Sequence, residues 1–69
     1  MTFRDATDLL AVPLEEVARA VERTYGTVLV YRNGARTPPP EVMKRLAKFM
    51  KEQGRKLAEA ADELGREGK

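Results

Sequence analysis

Three consecutive prolines at residues 38–40 constrain the folding of this 69-residue chain more than any other feature. Proline lacks the backbone N–H that the interior of a helix or strand requires, so regular structure must stop at this run. The run therefore predicts a stiff, extended connector, and its last proline can occupy the first turn of a following helix. Any regular elements must lie on either side of this connector.

The connector decides how the residues just before it fold. Residues 28–31 favour a β-strand by composition, and Asn33 with Gly34 could form a hairpin turn. No second strand follows, because Arg36 and Thr37 lead directly into the prolines. We therefore predict a helix from residue 25 to about residue 32, which ends with Gly34 in the left-handed conformation.

Apolar residues at helical spacing predict two shorter helices before this one. The first has Thr2 as its N-cap, and its apolar face comprises Phe3, Ala6, Leu9 and Leu10. The second begins at Pro13, and its apolar face comprises Leu14, Val17, Ala18 and Val21. Thr24 is then the expected N-cap of the third helix. The fold class is all-α, a small domain of four or five helices.

After the prolines, apolar residues recur at alternating steps of three and four, as along a heptad seam. The seam, which Val42 and Phe49 widen at its start, comprises Met43, Leu46, Met50, Gln53, Leu57, Ala60 and Leu64. Gly54 leaves two alternatives open. A helix ends there and another starts near Arg55, or one long helix tolerates the glycine at a cost of about 1 kcal/mol.

The glycine also marks a candidate boundary in the chain. We predict a domain over residues 1–53 and a helical extension or tail over residues 54–69. So small a domain has little surface left to cover the end of the seam, which favours a homodimer contact. The alternative is that the seam packs on its own domain. The expected dimerisation residues are Met50, Leu57, Ala60 and Leu64.

Enzyme chemistry has few candidate groups in this sequence. The chain contains no histidine and no cysteine, which removes the usual proton-transfer group and the thiolate nucleophile. The acidic pairs at residues 5 and 8 and at residues 15 and 16 are explained by the preference of helix starts for acids. Gly26 and Gly34 lack the spacing and the lysine of a phosphate-binding loop. We expect no enzymatic activity, no cofactor and no metal.

Basic residues are concentrated just after the middle of the chain. Residues 1–31 carry three basic and five acidic residues, residues 32–56 carry eight and two, and residues 57–69 carry two and four. A localised basic region is typical of nucleic-acid binders, although a solvated lysine-rich helix face gives the same pattern. We find neither a signal peptide nor an apolar run of membrane-spanning length, and we expect a cytoplasmic protein.

Residues 13–34 resemble the helix-turn-helix of the phage repressor and Cro family, also called the lambda repressor-like family. Ala18 falls where that family has a small residue at the crossing of two helices, and Glu22 falls at the turn where the family usually has glycine. The family's core positions correspond to Val17, Val21, Val28 and Tyr31. Residues 32–34 resemble the family's helix ending, and residues 36–47 resemble the proline-marked entry to its next helix.

This resemblance implies duplex DNA binding by a small transcriptional regulator, sequence-specific or semi-specific, with residues 25–33 as the recognition helix in the major groove. The implied contacts to bases and to the nearby backbone are Tyr25, Gly26, Leu29, Val30, Thr24 and Thr27. The implied phosphate contacts are Arg23, Arg32, Asn33 and Arg36. The alternative is a protein-interaction module on the same scaffold, which uses Tyr25, Leu29 and Val30.

Overall fold

The structure, a computed structural model, describes residues 1–68. Within this range the chain forms four α-helices and no strand: α1 (Phe3–Leu10), α2 (Leu14–Val21), α3 (Tyr25–Arg32) and α4 (Pro40–Glu67). The predicted all-α fold class is confirmed. Residues 28–31 lie inside α3, so the helical interpretation of this β-prone stretch is also confirmed.

The first helix begins at the N-cap that its sequence predicts. Thr2 Oγ1 accepts a hydrogen bond from the Asp5 backbone N–H at 3.1 Å, and Asp5 Oδ2 accepts one from the Thr2 backbone N–H at 3.2 Å. This reciprocal pair is a capping box, which satisfies two of the backbone donors exposed at a helix start. The hydrogen bond from the Thr2 backbone holds the pKa of the Asp5 carboxyl below its usual value.

One apolar residue of α1 does not lie where its spacing suggests. Leu9 is 66% exposed, and Thr7 is buried instead. At about 100° per residue Leu9 is about 120° around the helix from Phe3, whereas Thr7 is only about 40° away. The Thr7 hydroxyl donates to the Arg4 carbonyl at 3.0 Å, which makes its burial acceptable. The prediction that Leu9 belongs to the packed face was wrong.

Both ends of α3 agree with the sequence. Thr24 is the N-cap, and its hydroxyl accepts a hydrogen bond from the Thr27 backbone N–H at 3.3 Å. Asn33 is the C-cap, and the next residue, Gly34, has a φ of 80°. Gly34 donates its N–H to the Tyr31 carbonyl at 3.1 Å, which closes the last turn. Glycine is favoured there because it has no Cβ to clash in the left-handed region.

The last helix runs without interruption through Gly54. Pro40 occupies the first turn of α4, as the proline run predicts, and the helix continues for 28 residues. A helix of that length is about 42 Å long, and it accounts for most of the molecule's longest dimension of 49 Å. All residues from 54 to 68 are exposed. The C-terminal half of α4 therefore projects from the domain.

The core lies where the four helices meet. It consists of buried residues from every helix: Phe3, Ala6, Val17, Ala18, Val21, Val28, Tyr31, Val42 and Leu46. The Phe3 and Tyr31 rings meet edge to face, with centroids 5.7 Å apart and an interplanar angle of 62°. This contact joins the start of α1 to the last turn of α3, so it contributes to holding α3 on the domain.

Candidate nucleic-acid interface

The connection between α2 and α3 is short and is held by α4. Ala18 is buried at the α2 side of the crossing, where its small side chain lets the helices approach closely. Glu22 ends α2 with a φ of 57°, in the left-handed region. Arg45 of α4 donates to the Val21 carbonyl at 3.4 Å and forms an ion pair with Glu22 at 3.2 Å. The contacts of Arg45 therefore hold the turn between α2 and α3 against α4.

The outer face of α3 is open to solvent. Tyr25 is 47% exposed and Leu29 is 36% exposed, and Gly26 is exposed between them. Val30 and Thr27 are half-buried, whereas Val28 and Tyr31 are buried on the opposite side of the helix. The predicted base-contacting residues therefore share one accessible surface, of which Val30 forms the edge.

The start of α3 carries two hydroxyl groups that contact each other. Thr24 Oγ1 and Thr27 Oγ1 lie 2.9 Å apart and share a hydrogen bond. Thr24 is exposed, and Thr27 is half-buried. Each hydroxyl has two lone pairs and one proton, so the pair keeps hydrogen-bonding capacity for a group that approaches the helix start.

Two of the predicted phosphate-binding arginines are held by carboxylates of other helices. Arg23 pairs with Glu41 of α4, and this hydrogen bond raises the pKa of its guanidinium above the usual value. Arg32 pairs with Asp8 of α1 at 2.8 Å. Both arginines remain partly exposed, so the pairs orient their side chains without removing them from the surface.

The third predicted arginine lies in a basic cavity at the far end of α3. Arg36 is exposed in the loop between α3 and α4, and no carboxylate of residues 1–68 forms an ion pair with it. It lines a cavity of about 470 Å³ together with Arg32, Asn33 and Arg4. Apolar side chains, which include Phe3 and Met43, form most of the cavity wall. The structure thus places cations from α1, α3 and the following loop around one cavity.

The sequence patterns did not indicate Arg4 as a candidate phosphate-binding residue. It lies in the acidic first third of the chain, and its proximity to Arg36 follows from the packing of Phe3 on Tyr31. No local pattern signals that two residues 32 positions apart in the chain line the same cavity.

The lysines of α4 lie elsewhere. Lys44, Lys48 and Lys51 are exposed, about half a turn around the helix from the buried Val42 and Leu46. They therefore face away from the packed domain and do not line the basic cavity.

The four predicted dimerisation residues fall into two environments. Met50 is half-buried and packs against the core, whereas Ala60 is exposed and Leu57 and Leu64 are 73% and 70% exposed.

A second cavity of about 270 Å³ lies between the end of α1 and the middle of α4. Its lining residues are Leu9, Leu10, Met50, Gln53, Gly54 and Leu57.

Comparisons of the chain with protein-family models, with curated proteins and with solved structures found no match. Across residues 1–68 no helix combines the length and the apolar character that a membrane crossing requires. In the same range no three acidic, histidine or cysteine side chains cluster closely enough to hold a metal ion.

Proposed function

We propose that this protein binds duplex DNA as a small transcriptional regulator, with α3 in the major groove. The observation that carries the proposal is the position of α3 on the domain. Its inner face is buried against α1 and α2, and its outer face is exposed between the Thr24–Thr27 hydroxyl pair and the basic cavity. A helix pair joined by a tight turn presents its second helix in this way to a groove about 12 Å wide.

The exposed face of α3 offers apolar contacts to the bases. Tyr25 and Leu29 present apolar surface at the centre of this face, with Val30 at its edge. Such side chains recognise the methyl group of thymine and do not read hydrogen-bonding edges. A Cβ at Gly26 would meet nothing within 4 Å, so the backbone is open to close approach there. We infer semi-specific recognition with a preference for thymine-containing sites.

Phosphate groups are bound by the arginines around this face. Arg36 has the most accessible guanidinium of the predicted set, and Arg32 and Arg4 line the same cavity. Guanidinium groups bind phosphate oxygens through paired hydrogen bonds. Arg23 occupies the other end of α3, beside Thr24. Contacts at both ends of the helix would fix its register along the groove.

The proposal includes a homodimer through the exposed half of α4. A dimer binds two half-sites about 34 Å apart, one turn of DNA. The residues proposed for the contact are Leu57, Ala60 and Leu64, with the half-buried Met50 at its edge next to the core.

The proposal is tested by a charge-matched pair of variants, Arg36→Ala and Lys51→Ala. Each removes one exposed cation, but only Arg36 lines the basic cavity. We expect Arg36→Ala to weaken binding to all duplexes and to reduce the slope of log K against log salt by about 1. Lys51→Ala should leave the affinity and the salt slope unchanged. Fluorescence anisotropy with a labelled duplex measures both quantities. Equal losses in the two variants would contradict the assignment of this face.

A second candidate function is supported by the apolar character of the same face. Exposed Tyr25 and Leu29, with Val30 beside them, also suit a protein partner. The anisotropy titration separates the two functions, because a protein-binding face gives no salt-sensitive duplex binding.

A further inference from the structure

The C-terminal half of α4 has an apolar seam that no part of the described chain covers. Leu57 and Leu64 are 73% and 70% exposed, and every residue from 54 to 68 is exposed. A helical segment of about 15 residues is marginally stable in water without tertiary contacts. A partner that covers the seam would supply the missing burial.

The charges beside this seam are arranged asymmetrically. The seam consists of two rows of residues at heptad spacing. One row comprises Met50, Leu57 and Leu64, and the other comprises Gln53, Ala60 and Glu67. One flank of the seam then carries Lys56 and Glu63, seven residues apart. The other flank carries Gly54 and Ala61, which have no charge and little volume. No ion pair within residues 1–68 engages Lys56 or Glu63.

We propose that two copies of this chain pair through α4 in antiparallel orientation. Leu57 of each copy faces Ala60 of the partner subunit, and Leu64 faces Gln53 of the partner subunit. The inference deepens the dimer included in the proposed function and does not rest on DNA binding.

Charge complementarity selects this orientation. In an antiparallel pair the same flank of each helix meets, so Lys56 of each copy faces Glu63 of the partner subunit. The contact occurs twice because the pair is two-fold symmetric. In a parallel pair each charged flank would instead face the uncharged flank of the other copy. Parallel pairing would also bring the two Glu67 carboxylates together, and like charges at such positions destabilise.

The shapes of the seam residues fit the same orientation. Each large leucine faces a smaller or flexible residue, and the small flank of Gly54 and Ala61 permits close approach of the two helices. The end of the partner helix lies over Gln53, beside the 270 Å³ cavity that Leu9, Met50 and Leu57 line. Leu64 of the partner subunit would then cover the otherwise exposed Leu9. The antiparallel pair thus buries the largest exposed apolar side chains of both α1 and α4.

Cysteine cross-linking tests the orientation directly, because the chain has no cysteine of its own. The variants are Gln53→Cys and Leu64→Cys, equilibrated separately and mixed in a glutathione redox buffer. In the antiparallel pair positions 53 and 64 are adjacent between copies, whereas identical positions are about 16 Å apart along the helix axis. We expect a disulfide-linked dimer in the mixture and none in either variant alone. Cross-linking of Leu64→Cys with itself would show parallel pairing and overturn the proposal.

A charge exchange at exposed positions tests the pairing without changing the apolar seam. We expect Lys56→Glu to weaken self-association about fivefold or more, because two attractive contacts become repulsive. The double variant Lys56→Glu with Glu63→Lys should restore the wild-type dimer. Arg55→Glu makes the same change of charge away from the seam and serves as the control.

Sedimentation equilibrium measures these effects on the full chain. A wild-type chain that stays monomeric at about 200 μM would overturn the pairing whatever the DNA titration gives. If the wild-type chain dimerises and the Lys56 and Glu63 variants change its self-association as expected, but no duplex is bound, only the proposed function is contradicted. The two failures are therefore distinguishable.

Discussion

Within residues 1–68, Glu22 and Ala11 are the two non-glycine residues with a positive φ, 57° and 53°. Glu22 is the one that lies in the turn before α3. It ends α2 in the left-handed region, where the Cβ of an L-residue meets the following carbonyl at a cost of about 1–2 kcal/mol. Here the ion pair with Arg45 compensates only in part, because both side chains are substantially exposed and such pairs contribute little.

The strain at Glu22 predicts how two substitutions should differ. Glu22→Gly and Glu22→Ala both remove the carboxylate, but only glycine removes the Cβ. We expect the glycine variant to have a free energy of unfolding about 1 kcal/mol higher than the alanine variant. Urea denaturation followed by circular dichroism measures the difference. An alanine variant at least as stable as the glycine variant would contradict the left-handed geometry.

Residue-level features were predictable where they depend on near neighbours in sequence. The caps at Thr2 and Thr24 and the left-handed Gly34 each depend on residues within three positions, so composition and spacing were sufficient. The ion pairs Arg23–Glu41 and Arg32–Asp8 join different helices. Their geometry follows from tertiary packing, which no local pattern encodes.

At the scale of elements, the sequence alone did not determine whether α4 is one helix or two. Gly54 allowed either a break or a continuous helix, and the structure has one helix across it. Good helix formers on both sides, including Lys51 and Gln53 before it and Leu57 and Ala58 after it, offset the intrinsic cost of one glycine. The error at Leu9 arose because apolar character was given more weight than angular position: Leu9 lies about 120° around α1 from Phe3, whereas the polar Thr7 lies on the buried face.

Two glycine substitutions should have opposite effects on stability. At Gly54 a Cβ meets nothing within 4 Å and the backbone is helical, so Gly54→Ala should raise the free energy of unfolding by about 1 kcal/mol. Gly34→Ala makes the same chemical change at a φ of 80° and should lower it. Thermal denaturation, run where the protein is monomeric, gives both values. A destabilised Gly54→Ala variant would count against a continuous helix.

At the scale of the whole molecule, the basic residues that are contiguous in the sequence are distributed over separate surfaces. Arg32 and Arg36 lie beside Arg4 at the end of α3, whereas Lys44, Lys48 and Lys51 lie on the outer side of α4. The sequence predicted where basic residues concentrate along the chain. It could not predict this division, which depends on the face that α4 packs against the core, nor the contribution of Arg4.

The division also determines how the proposed DNA contact should respond to salt. A contact formed by a few arginines around α3 releases a correspondingly small number of counterions from the phosphates. The lysines of α4 add little, because they face away from that surface.

The most direct test of DNA binding through α3 is a fluorescence anisotropy titration with a labelled duplex at about 50 mM and then about 200 mM salt. We expect binding at the lower salt and a loss of at least about tenfold in affinity at the higher salt, since each neutralised phosphate adds nearly one unit to the slope of log K against log salt. No binding at about 50 mM salt would contradict the account, and the exposed Tyr25 and Leu29 would then be assigned to a protein contact.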